Sequence, residues 1–107
     1  MASTPFSLLD IVQDLHALEE ELWKYESRYG LRSTHFYDLY QAGQLKDEDP
    51  AETRDYTDWA TCIETMRHRE SLYDALVREA LRKTPLQQPI SLAELRQTLK
   101  PAVARAA

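Results

Sequence analysis

An all-α fold is predicted by three features of this 107-residue chain. Glycine occurs only at Gly30 and Gly43, which leaves few places for the tight turns and bulges of a sheet. Strong helix formers, chiefly Ala, Leu, Glu, Arg and Gln, dominate the remainder. Apolar residues also recur at spacings of three and four over long stretches. Together these predict a long helical hairpin, a short connecting helix and a C-terminal helix, with two chains joined as a dimeric four-helix bundle. The expected division is a helical hairpin domain over 1–83, then a linker, a short helix and a flexible tail over 84–107.

The first helix has a double start signal. Ser7 is the cap and Asp10 its partner three residues on, while Phe6 is placed to pack on Ile11 as a hydrophobic staple. Leu8, Ile11, Leu15, Leu18, Leu22, Tyr25 and Tyr29 then form an unbroken stripe at alternating spacings of three and four. Gly30 marks the stop. Ser33 or Thr34 caps a short second helix, about Thr34 to Ala42, bearing Phe36, Tyr37, Leu39 and Tyr40 and ended by Gly43. The third helix opens at Asp49, with Pro50 in the first position and Glu52 in the third. Its stripe runs through Tyr56, Trp59, Ile63, Met66, Tyr73, Val77 and Ala80, with Glu70 interrupting it, and it stops before Pro85. Such a helix reaches roughly 50 Å, or bends near Arg67 to Glu70. Residues 84–89, TPLQQP, read as an extended linker. Ile90, Ser91, Glu94 and Leu95 then form a staple and capping box for a fourth helix, about Ser91 to Lys100. The closing AVARAA has no reason to be ordered alone.

Two striped helices need the segment between them to reverse the chain, and Gly30 and Gly43 permit the two reversals. A hairpin of two helices does not hide both stripes. Leu9, Val12, Ala60, Leu72 and Leu76 lie beside the seams and are expected to stay partly wet. Each large apolar side chain left exposed forfeits about 1.5–3 kcal/mol, and a second chain is the simplest cover. Leu9, Val12 and Leu76 are therefore the expected dimer interface.

Charge narrows the possible partners. The net charge is −5, and the excess of carboxylates lies in the body, whereas residues 84–107 carry +2. An acidic body is a poor platform for nucleic acid, whose binding is largely a cationic, counterion-releasing effect. A single cysteine, Cys62, excludes an internal disulfide and suits a reducing, cytoplasmic setting. No apolar run approaches the roughly 20 residues of a membrane span, and the N-terminus lacks the pattern of a signal peptide.

No catalytic, cofactor or metal constellation converges. His16 and Glu20 share a helix face at a spacing of four, yet no second pair completes a metal site. Glu19 to Glu21 read as a solvent face, and Asp47 to Asp49 as turn and capping chemistry without the glycine of a calcium loop. Cys62 reads as a packing residue. Arg67 precedes His68 directly and Arg32 lies three before His35, neither of which matches the wider arginine-to-histidine spacing of some helical ribonucleases. Glu70 is expected to pair with Arg67 or with an arginine of a second copy, setting register. The aromatics Trp23, Tyr25, Tyr29, Phe36, Tyr37, Tyr40, Tyr56, Trp59 and Tyr73 have no interleaved basic residues and read as core.

The stretch YGLRSTHFYDLYQAGQLKDEDPAETRDYTDWA, residues 29–60, resembles a pattern in small bacterial helical proteins encoded beside toxin genes. The matching residues are Tyr29, Gly30, Ser33, Phe36, Tyr37, Tyr40, Gly43, Leu45, Asp47, Tyr56, Trp59 and Ala60. The resemblance covers about a third of the chain, has a longer acidic turn here and does not extend past Thr84. It implies an antitoxin-like protein without catalytic residues of its own. An acidic chain independently suits a basic, RNA-cleaving toxin. The C-terminal segment, with Leu92, Leu95 and Leu99, reads as an amphipathic element that docks in a partner's groove. A self-assembling scaffold is the alternative, and a transcriptional regulator, alone or with its toxin, is a third reading.

Overall fold

The computed structural model describes residues 6–46, 48–83, 89–99 and 103–104, with backbone alone for Phe6, for 97–99 and for 103–104. Four helices follow in order: α1 (Leu8–Tyr29), α2 (Ser33–Gln41), α3 (Pro50–Arg82) and α4 (Leu92–Leu99). An antiparallel pairing of β1 (Phe6–Ser7) with β2 (Val103–Ala104) adds a two-residue strand ladder that the helical periodicity did not indicate.

Most of the helix-end chemistry has a counterpart in the backbone, but the Ser33 or Thr34 cap expected for α2 does not, because Arg32 holds that position and Ser33 is already helical. The Ser7 amide donates to Asp10 Oδ2 at 3.0 Å and the Asp10 amide to Ser7 Oγ at 3.2 Å, a reciprocal capping box. Gly30, at φ +67°, donates its amide to the Glu26 carbonyl and ends α1 in the left-handed conformation. Gly43, at φ +68°, closes α2 with two bonds, its own amide to Tyr40 and that of Gln44 to Leu39, the Schellman arrangement. The Ala51 amide bonds Asp49 Oδ1 at the head of α3, and the Glu94 amide bonds Ser91 Oγ at the head of α4. The Phe6 staple, the TPLQQP linker up to Gln88 and the AVARAA tail, apart from the backbone of 103–104, lie outside the described residues.

The chain forms two compact units, 16–68 and 1–15 with 69–107. In the first unit, α1 and α3 run antiparallel. Leu18 meets Cys62, Tyr25 meets Trp59, and Tyr29 meets Tyr56. The core of this unit is Leu22, Tyr25, Phe36, Trp59, Ala60, Cys62 and Ile63. In the second unit Leu8 and Ile11 are buried against Leu15, Leu72, Tyr73, Leu76 and Val77, and Arg69 pairs with Asp14.

The stripe of α1 is thus the buried face, and α3 buries Trp59, Ile63 and Ala80 as its periodicity predicts. Three expectations need correction. Ala60 is buried rather than wet, because its small side chain fits beneath the aromatic cluster. Glu70, at a stripe position, is exposed on this chain rather than buried within its seam. Arg67, one of the two partners expected for Glu70, instead lays its guanidinium 4.4 Å from the centre of the Tyr37 ring.

Candidate partner-binding surface

The aromatic cluster of the 16–68 unit is the platform on which its surface stands. Phe36 stacks on Trp59 with ring centroids 3.8 Å apart and planes 3° from parallel. Tyr25 and Tyr29 also stack on Trp59, at 5.6 and 5.8 Å. The Trp59 indole N–H, fully buried, donates to Ser33 Oγ at 2.9 Å. The Ser33 hydroxyl in turn donates to Glu26 Oε2 at 2.7 Å, and the same oxygen accepts the Ser33 amide at 2.7 Å. A carboxylate of α1 therefore caps α2, because Arg32 at the cap position supplies no side-chain bond.

Beside this network Asp55 accepts from the Tyr29 hydroxyl at 2.6 Å and from Arg28 at 2.5 Å. Those two donors hold the Asp55 carboxyl below its ordinary value. Burial, then the bond to Asp55, pushes the Tyr29 hydroxyl up to about 12. Burial also raises the Cys62 thiol, whose Sγ lies 3.7 Å from the Leu18 carbonyl. Raised and buried, it is a packing thiol rather than a thiolate nucleophile.

His16, His35 and His68 are exposed, as are Glu19, Glu20, Glu48 and Asp49. His16 faces Glu19 at 3.6 Å rather than Glu20, and its side chain is 73% exposed. Among the described residues no group of three or more His, Cys, Asp and Glu side chains could hold a metal ion. No described helix is long and apolar enough to cross a membrane.

Apolar side chains that reach solvent mark the candidate surfaces. Leu92 on α4 is 81% exposed, and Leu95 is half-buried. The Leu99 side chain lies outside the described residues. Of the expected dimer residues, Leu9 is 60% exposed, whereas Val12 and Leu76 are half-buried, with Leu76 against the Leu8 and Ile11 cluster.

Trp23, expected in the core, lies outside it. It stands 65% exposed beside a shallow concavity of about 390 Å³, lined by Glu19, Leu22, Trp23, Glu26, Arg32 and Met66. The signal was present in the sequence. Trp23 follows the stripe residue Leu22 by one position, about 100° around the helix, and three glutamates precede that pair.

No family model matches this chain, and no curated protein or solved structure does. Of the twelve residues that carry the antitoxin-like resemblance, all but Asp47 are described. Seven of them lie in or against the aromatic cluster as ring or Ala60 positions, Gly30 and Gly43 end helices, Ser33 holds the network and Leu45 packs on the core.

Proposed function

We propose that this chain is a non-enzymatic protein-binding module, an antitoxin-like partner that neutralises a cognate toxin and acts as a homodimer in a four-helix bundle. The observation that carries this reading is Leu92, a large apolar side chain 81% exposed in the first turn of a capped helix. An exposed leucine forfeits about 1.5–3 kcal/mol that a partner's groove recovers. Leu95, three residues on, and Leu99, four beyond that, have the spacing of a helix anchored in a groove. Leu9 supports self-association through the Leu9, Val12 and Leu76 surface. The net charge of −5 fits a basic partner.

Coexpression with the products of the adjacent genes tests the reading. A stoichiometric complex with a basic protein, growth restored against that protein, and loss of both in Leu92→Glu are the expected results. No complex and no rescue with any neighbour would sink it. The exposure of Leu9 also favours a second reading, a self-assembling scaffold without a toxin partner, which predicts a stable homo-oligomer in every one of those coexpressions.

A further inference from the structure

The Trp23 concavity has a chemistry different from that of α4. Leu22, Met66 and the indole supply its apolar lining. Its charged lining is Glu19, Glu26, which already accepts from Ser33, and Arg32, with Glu20 exposed beside it. Glu19 and Glu20 lie four and three residues before Trp23, hence on the same helix face. The two cations nearby already face carboxylates: Lys24 lies 3.2 Å from Glu21, and Arg32 lies 3.6 Å from Glu26. Glu19 faces only the His16 ring, and Glu20 is exposed without an ion pair among the described residues. The 16–68 unit as a whole has twelve acidic against six basic side chains, a net charge of −6.

We propose that this concavity docks a lysine- or arginine-bearing segment of a protein partner, its cation over the Trp23 indole between Glu19 and Glu20 and its apolar neighbour against Leu22 and Met66. Tryptophan is the best ring for a cation, and flanking carboxylates strengthen that preference. Charge also argues against the competing occupants. A second copy would bring another unit of −6 against this one, and nucleic acid would bring phosphates to the same excess of carboxylates. Trp23 is the type of residue that anchors interfaces, since it supplies large area and few rotamers to immobilise. Its exposure is no accident of a loose segment, because α1 is anchored on both sides by Leu22 and Tyr25 in the core.

This inference rests on the reading of the chain as a partner-binding module, and its test uses defined peptides so that the two fail separately. The full chain is titrated with a labelled amphipathic peptide of arginine, leucine and alanine, and with the same peptide carrying glutamate for each arginine. Binding is followed by anisotropy, and acrylamide quenching reports Trp23, because Trp59 is buried. The arginine peptide is expected to bind, to shield the exposed tryptophan and to weaken with salt. Trp23→Ala is expected to weaken binding at least about tenfold. Glu19→Gln with Glu20→Gln is expected to weaken it more than Glu48→Gln with Asp58→Asn, an equal charge loss on exposed positions elsewhere in the unit. All three variants alter exposed side chains, and circular dichroism verifies their helicity.

No binding of the arginine peptide, equal binding of the glutamate peptide, indifference to Trp23→Ala, or equal effects of the two double variants would each overturn the assignment. Trp23 shielding that rises with chain concentration and without peptide would assign the concavity to a second copy and likewise overturn it. A peptide failure beside an intact Leu92-dependent complex removes this site alone, whereas a missing complex removes the module reading.

Discussion

Ser33 is bonded to two other segments at once, accepting the Trp59 indole N–H and donating to Glu26. Ser33→Ala removes the acceptor and leaves a buried N–H without its bond, at a cost of about 1–3 kcal/mol. Urea unfolding is expected to show that loss with an unchanged slope, and a loss below about 0.5 kcal/mol would mean that the serine is not the hub. The Tyr29–Asp55 bond makes a pH prediction with a definite sign. The folded Tyr29 hydroxyl titrates at about 12, above its ordinary 10.0, so its contribution is complete below the ordinary value and is lost as pH rises toward the folded one. Asp55 is shifted down, so its contribution is complete above its ordinary 3.8 and is lost as pH falls through the depressed value. The stability difference between wild type and Tyr29→Phe is expected to be flat near neutrality and to shrink above about pH 10 and below about pH 4. A difference that grows in alkali would contradict the bond. These networks were illegible in sequence, because Glu26 to Ser33 and Ser33 to Trp59 join residues of three different helices, which no local spacing specifies.

At the scale of elements, local rules carried most of the information. The Ser7–Asp10 box, the Asp49–Pro50 start and the two glycine stops each depend on residues within a few positions of one another. The start of α2 was displaced by a residue because its cap comes from another helix. Glu70, which interrupts the α3 stripe in sequence, is exposed on this chain. Gly30 gives the element-scale test. A Cβ there meets nothing within 4 Å, so substitution costs only backbone strain at φ +67°. Gly30→Ala is expected to lose about 1–2 kcal/mol, and Gly30→Asn distinctly less, since asparagine tolerates the left-handed region. Equal losses measured by thermal unfolding would point to packing rather than to conformation.

At the scale of the molecule, three large apolar side chains reach solvent among the described residues, and they fall on α1 and α4. Leu9 and Leu92 lie off or beyond the stripes and are exposed, whereas Trp23, core by residue type, is exposed as well. Tryptophan is apolar enough for a core and amphipathic enough for an interface, so only its position beside Leu22 distinguished the two. Leu9→Glu is expected to lower the self-association constant by at least tenfold while leaving helicity intact, as sedimentation across a concentration series would show. An unchanged constant would remove Leu9 from the interface.

The most direct measurement of the partner-binding account is the native mass of the full 12.5 kDa chain coexpressed with each neighbouring gene product. The account predicts two copies of the chain together with a basic protein, and loss of that protein in Leu92→Glu. A mass of one copy alone in every coexpression would contradict it.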